Sequence, residues 1–355
     1  MLKDRRARLV SLFDREQLDC LVVEHLPNLR YLTGFSGSTG TLLLGRDAGW
    51  FICDSRYTLQ ARDEVVGLEI IEHSQRHEAI ASLQRDVGWQ RMGFEADHTM
   101  VSTHQALAKR LPAVQLVAVG AELDAIRDRK DQGELSALKQ VAGLASDALL
   151  AVLPQIRPGV SEAELALALE VEMRHRGADG RGFDFIVASG ERGAMPHGRA
   201  SNKRLQAGEL VTIDFGAVLN GYHSDETVTL AVGHADNRQQ RMYDVVLTAH
   251  NRAIAAVRPG ISCKELDAIA RDYICEQGLG EYFGHGLGHG VGLEIHEAPT
   301  LSPRSDVVLA SGMVVTIEPG VYIPGWGGVR IEDTVVVTDE SCLILTAVPK
   351  RLMVV

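Results

Sequence analysis

The sequence predicts an α+β protein, with a smaller α/β domain followed by a larger domain made of two similar halves. Three observations carry this. The 355 residues exceed what one core usually fills and suit two domains. Over the first third, short β-favouring runs alternate with amphipathic stretches, as in a small α/β domain. Beyond residue 128, three blocks recur in the same order. "RPGVSEAEL" (157–165) returns as "RPGISCKEL" (258–266), "GELVTIDFG" (208–216) as "GMVVTIEPG" (312–320), and "DETV" (225–228) as "EDTV" (332–335).

In the first domain, residues 1–127, the apolar runs predict strands over 19–23 ("DCLVV"), 41–45 ("TLLLG"), 49–54 ("GWFICD"), 68–72 ("LEIIE"), 91–95 ("RMGFE") and 114–119 ("VQLVAV"). Helices are predicted over 3–17, 56–66, 77–87 and 100–111. The charged segment "DAIRDRKDQGELSALKQ" (124–140) then settles into helical spacing. The boundary is therefore placed at 127/128, with a helix opening the second domain, residues 128–355.

The spacing of the repeated blocks is far longer than a solenoid unit and reads as two α-plus-strand halves about a pseudo-two-fold axis. Aligning them sets Asp214 opposite Glu318 and Asp225 opposite Glu332. Each acid adjoins a strongly apolar run: "LVTI" before Asp214, "VVTI" before Glu318, "TVTLAV" after Asp225 and "TVVV" after Glu332. Such runs are expected as central strands of a buried sheet, so the four acids converge on its middle. Taken singly, each has a plain structural reading. Asp in "DFG" and Glu in "EPG" suit turns, Asp225 suits a turn after "GYHS", and Glu332 near Arg330 suits a surface ion pair. The symmetry weighs against all four readings together.

Four ionised carboxylates cannot share a buried place alone, because repulsion and desolvation would force most of them to take up protons. Two divalent cations remove that conflict. Carboxylates with one imidazole suit Mn²⁺, Co²⁺, Fe²⁺ or Zn²⁺, and the oxygen-rich set leans to the harder ions. The imidazole is expected from "GHGLGHGVGLEIHE" (284–297), which holds His285, His289 and His296 among five glycines. Those glycines disfavour a helix and suit a strand or loop where another backbone comes close.

Other chemistries find less support. The formal net charge is −11 and no basic cluster offsets it, which argues against nucleic-acid binding. The five cysteines are widely spaced without a CxxC pair, as expected of buried, reduced thiols in a cytoplasmic protein. No apolar h-region follows the charged N-terminus, and no run of 18 apolar residues predicts a membrane span. GxSxG, Gly-Lys and GxGxxG do not occur.

The motifs "IDFG", "HSDETVT", "GHGLGHGVGLEIHE", "TIEPG" and "VRIEDTV" closely resemble the metallopeptidases of the pita-bread fold (family M24), in their Xaa-Pro aminopeptidase and prolidase branch. The resemblance covers the second domain almost throughout. In the first domain "YLTGFSGSTG" (31–40) and "CDSRYTLQA" (53–61) look like segments of Xaa-Pro aminopeptidases. It implies a C-terminal pita-bread domain preceded by a creatinase-type, ribonuclease H-like domain. It also implies five metal ligands, Asp214, Asp225, His289, Glu318 and Glu332, holding two divalent ions, with manganese first and cobalt, zinc or iron as alternatives. A hydroxide shared by the two metals would attack the scissile carbonyl, with Glu318 handling the proton.

His197, in "GAMPHG", resembles the histidine that contacts substrate opposite the metals, and His296 the one that steadies the carbonyl oxygen as it gains charge. His285 and Tyr322 are expected to line the substrate pocket. Arg330, two residues before Glu332, is expected to orient a carboxylate, join a proton relay or balance charge. In this family Arg often stands where this chain has Val228. The activity implied first is Xaa-Pro aminopeptidase, on peptides with proline in second place; the alternative is Xaa-Pro dipeptidase. Creatinase-like hydrolysis and a non-catalytic binding module follow. A cytoplasmic homodimer, without nucleic-acid or membrane partners, completes the expectation.

Overall fold

A computed structural model describes residues 2–355, and the chain divides into two units between Arg127 and Asp128. Six strands organise the first: β1 (Cys20–Val23), β2 (Thr41–Gly45), β3 (Gly49–Cys53), β4 (Glu69–Glu72), β5 (Arg91–Glu95) and β6 (Gln115–Val119). They form one mixed sheet in the order β4-β3-β2-β1-β5-β6. β1 pairs antiparallel with β2 and parallel with β5. All four of its residues are buried, which is why "CLVV" reads as an unbroken apolar run. Helices Thr58–Glu64, Arg76–Val87 and Val101–Arg110 fall where the periodicity predicts them.

Two local expectations fail here. The helix predicted over 3–17 is two helices, Leu2–Ala7 and Val10–Glu16. The interruption contains neither Gly nor Pro, and Leu9 within it is 1% exposed; nothing in the local sequence accounts for the break. The helix Leu26–Thr33 was not expected. Its signals are Pro27 in the first turn and Gly34 (φ 84°) closing the end, the usual asymmetry of helix termini.

In the second unit the repeated blocks become repeated structure. The first half carries α1 (Gln132–Val152), α2 (Glu162–His175), β7 (Ile186–Ser189), β8 (Leu210–Phe215) and β9 (Glu226–Ala231). The second half carries α3 (Asn237–Ala256), α4 (Cys263–Glu276), β10 (Gly288–Gly290), β11 (Glu297–Leu301), β12 (Val314–Ile317), β13 (Gly320–Ile323), β14 (Gly327–Arg330), β15 (Asp333–Val337) and β16 (Cys342–Ile344). The "RPGxSxxEL" blocks start α2 and α4 with the same device. Ser161 with Glu164, and Ser262 with Glu265, each form a capping box in which side chain and backbone satisfy one another's donors.

β8 lies between β9 and β7, and β12 between β10 and β15, all antiparallel. Two apolar cores follow the halves closely, although Leu210 and Ala231 of the first half pack in the second core. Val141, Leu149, Leu169, Val211 and Leu230 belong to the first, and Val246, Leu266, Val315, Ile331 and Val335 to the second. α1 is long and apolar enough by composition to cross a membrane. Its Leu138, Val141, Ala145 and Leu149 are instead buried in the protein interior. All five cysteines are free; Cys20, Cys53 and Cys263 are buried, whereas Cys275 is exposed, against the expectation of buried thiols.

Candidate active site

Strand alternation sends successive side chains to opposite faces. At the start of β9 this splits "DETV". Asp225 and Thr227 face a cavity-bearing side, while Glu226 and Val228 face the interior behind it. Val228 is 2% exposed and packs in the core of the first half, so the place where the family often has Arg lies on the strand face away from Asp225. The alternation repeats at β15, where Glu332 and Asp333 diverge in the same way.

A cavity of about 830 Å³ is lined by all ten residues singled out from sequence: His197, Asp214, Asp225, His285, His289, His296, Glu318, Tyr322, Arg330 and Glu332. Asp225, His289 and Glu332 present ligand atoms that all lie within 4.8 Å of one another. His289 Nε2 is 3.5 Å from Asp225 Oδ2 and 3.4 Å from Glu318 Oε1. Asp214 is tied to Arg330, whose Nη2 donates to Oδ2 at 2.6 Å; its Oδ1 is buried and has no hydrogen-bond partner among the described residues.

The backbone explains how His289 reaches this position. A Cβ on Gly288 would lie 2.1 Å from Thr316 O, and one on Gly290 would lie 2.2 Å from Ala298 O. Only glycine permits such approach on both sides of the histidine. The ring itself is oriented. His289 Nδ1 lies 3.0 Å from Gly290 O, an acceptor only, so the proton sits on Nδ1 and the Nε2 lone pair faces the acids. Burial lowers the pKa of His289 and keeps the ring neutral, the form a cation requires.

The acids show the conflict expected from charge. Burial raises the pKa of Asp225 well above the carboxylate range, and Glu332, Asp214 and Glu318 add to it. Burial likewise raises Glu332, reinforced by Glu318 and Asp214. Glu318 is pushed up to about 8 by burial, with Arg330 opposing and Asp214 reinforcing. Arg330 is one cation for four acids. The donor set of oxygens with one neutral imidazole, and the orphaned Asp214 Oδ1, fit divalent cations that would supply the missing positive charge.

Around this group runs a second layer of bonds. Thr227 Oγ1 donates to Glu332 Oε2 at 2.6 Å, and Thr316 Oγ1 donates to Glu318 Oε1 at 3.2 Å. Sequence reasoning missed both threonines. Their signal was present, since Thr212 and Thr316, and Thr227 and Thr334, occupy matching places in the repeat.

Tyr322 and His285 form a chain with Arg330. Arg330 Nη1 donates to Tyr322 Oη at 2.8 Å, and Tyr322 Oη is 2.9 Å from His285 Nε2. His285 Nδ1 is 2.7 Å from Gly286 O and must carry the proton, so Nε2 accepts from Tyr322. Burial lowers His285 to about 4 and raises Tyr322 to about 12, which keeps both neutral. Both ring nitrogens of His285 are thus engaged within the protein. His296 packs edge-on against His289, with ring centroids 4.4 Å apart. Phe183, Asp184, Arg199 and Ile295 also line the cavity and carried no signal in the sequence.

A further His–His–Asp group in the first unit differs in kind. The rings of His25 and His98 stack with centroids 3.5 Å apart, and Asp124 lies 2.8 Å from Asn28 Nδ2 and 3.6 Å from Arg127 Nη2. A cation of the protein already answers that carboxylate.

Comparison with known proteins agrees with the two-unit architecture. Residues 136–339 match metallopeptidase family M24, and residues 5–128 match the creatinase/prolidase N-terminal domain. A Xaa-Pro dipeptidase of Pyrococcus horikoshii is 36% identical, over 99% of this chain and 99% of its own. The structure of a Xaa-Pro dipeptidase from Bacillus anthracis superposes with a TM-score of 0.97 at 42% identity, covering 100% of both chains. That of an X-Pro aminopeptidase from Thermotoga maritima superposes with a TM-score of 0.93 at 35% identity, covering 99% of this chain and 100% of that one. With its internally repeated catalytic fold and its creatinase-type N-terminal domain, the chain belongs to metallopeptidase family M24.

Proposed function

We propose that this protein is a Xaa-Pro dipeptidase, hydrolysing the bond between a residue with a free amine and a following proline. The observation that carries the hydrolytic reading is the buried set of acids around a neutral His289 whose Nε2 faces them. Near-full-length similarity to dipeptidases supports the substrate class and places this reading ahead of the aminopeptidase expected from sequence. The aminopeptidase is the second reading, favoured by the similarity to the Thermotoga maritima protein.

Asp214, Asp225, His289, Glu318 and Glu332 would hold two divalent ions, with manganese expected first. Bound there, such ions supply a water of lowered pKa and Lewis-acid polarisation of a carbonyl. The protein's own part follows from its bonds. Glu318, which lines the cavity beside His289, would accept a proton and pass it on at a carboxyl oxygen. Arg330 holds Asp214 in place. Tyr322 keeps its phenol proton and is held by Arg330 on one side and His285 on the other. His197 and His296 line the same cavity and would donate to the substrate oxygen that gains charge; one well-aimed donor of this kind contributes about 3 kcal/mol. The resemblance also carries a homodimer and a cytoplasmic setting into this proposal.

The test is an assay of manganese-reconstituted protein on Ala-Pro, Ala-Pro-Ala and Ala-Ala. Rapid turnover of Ala-Pro with little of the other two is expected. Preference for Ala-Pro-Ala would establish the aminopeptidase instead. Failure on all three, in protein shown to bind manganese, would favour a non-catalytic binding module.

A further inference from the structure

Behind the acids, on the opposite face of the same strands, lies a second charged group that the reaction does not use. Glu226 and Asp333 are the immediate neighbours of Asp225 and Glu332 and occupy matching places in the repeat. Strand alternation turns both away from the cavity, and both reach one ammonium group. Lys350 Nζ donates to Glu226 Oε1 and lies 3.2 Å from Asp333 Oδ1. The lysine side chain is 10% exposed, and Glu226 and Asp333 are 1% and 6% exposed.

The remaining oxygens are also engaged. Ser146 Oγ donates to Glu226 Oε2 at 2.6 Å, and Val348 N donates to Glu226 Oε1 at 3.0 Å. Thr346 Oγ1 donates to Asp333 Oδ1 at 2.5 Å, and His250 Nε2 lies 3.2 Å from Asp333 Oδ2. The C-terminal segment that carries Lys350 is itself anchored: Tyr243 Oη donates to Lys350 O at 3.2 Å, and Ala347 N donates to Ser146 Oγ at 3.0 Å.

The arrangement mirrors the front of the strands. On the cavity side one acid from each half converges, and on the rear one acid from each half is bridged by a fixed cation. The two strand starts are also stitched to each other. Thr227 Oγ1 donates to Glu332 Oε2 at 2.6 Å, Thr334 Oγ1 to Asp225 O at 2.7 Å, and Glu332 N to Thr227 O at 3.1 Å. Asp225 and Glu332 therefore cannot separate without pulling Glu226 and Asp333 off the same ammonium.

We propose that Lys350 is a positioning residue of the metal centre: bridging Glu226 and Asp333 from behind, it fixes the spacing of Asp225 and Glu332 before any ion binds. This rests on the proposed ligand set. Without the bridge, two like charges would face each other in a low-dielectric interior and push the strand starts apart.

The experiment is a titration of metal-free protein with Mn²⁺ by calorimetry, with stoichiometry and affinity read for wild type, Lys350→Met and Lys350→Arg. Wild type is expected to bind two ions. Lys350→Met is expected to weaken binding by about tenfold or more, the usual scale for groups that orient ligands, and Lys350→Arg to recover most of it. If Lys350→Met does not fold, Lys350→Gln, which removes the charge but keeps a polar group that can donate to one of the two acids, takes its place, with weakening in the same direction expected. Affinity equal to wild type in a folded variant, even with a lowered melting temperature, would overturn the proposal and leave Lys350 a structural residue only. Wild type binding no Mn²⁺ would instead overturn the ligand set on which it rests.

Discussion

Glu318 shows how one residue ties burial to chemistry. Its carboxyl lies near 8, against an ordinary value of 4.5, because burial and Asp214 disfavour its charge more than Arg330 favours it. A group whose pKa is raised on folding binds its proton more tightly in the folded state. The stability it lends is fully present below the unfolded pKa and is lost as pH rises through the folded one. The metal-free melting temperature is therefore expected to carry a Glu318-dependent decline between about pH 4.5 and pH 8. Glu318→Gln is expected to flatten that decline, and saturating Mn²⁺ to remove it in the wild type. Scanning calorimetry across this range checks both, and an unchanged slope in Glu318→Gln would refute the assignment.

Elements of secondary structure divide into those that carry stability and those that place chemistry. The capping boxes at α2 and α4 belong to the first kind. Ser161→Ala and Ser262→Ala are each expected to cost about 1 kcal/mol, read by urea unfolding, with kcat/KM unchanged. β10 belongs to the second. At Gly288 a Cβ would meet the backbone of Thr316, the residue whose hydroxyl receives His289 N–H. Gly288→Ala is expected to cost about 1–3 kcal/mol through overpacking. Because the displaced residue neighbours His289, weaker Mn²⁺ binding should accompany it. A Gly288 variant with wild-type metal affinity would mean that His289 tolerates movement of its strand.

For the whole molecule, the repeated halves share the cost of confining acids in one interior. Cations that bind only the folded state stabilise by mass action, about 2.7 kcal/mol per site at a hundredfold excess over Kd. Mn²⁺ is thus expected to raise the midpoint of thermal unfolding in a concentration-dependent way, and chelation to reverse it. A midpoint indifferent to divalent ions would count against the centre as a whole. The effect belongs to the second unit, which contains every residue of the cavity.

The sequence by itself determined the repeat, the pairing of Asp214 with Glu318 and Asp225 with Glu332, and all six strands of the first unit's sheet. These are local patterns, in which an apolar run and its adjoining acid lie within a few positions. Only the tertiary structure decided which face each side chain takes and which distant groups meet it. Val228 is a departure from the family, and only the structure shows that β9 turns it into the core. His285 lines the cavity as expected, but only the structure shows that its two nitrogens are engaged by Gly286 and Tyr322. Lys350 carries no local signal, because its partners lie at Glu226 and Asp333 and are brought to it only when the two halves close. The break in the helix expected over 3–17 likewise has no local signal, since neither Gly nor Pro stands at residues 8–9.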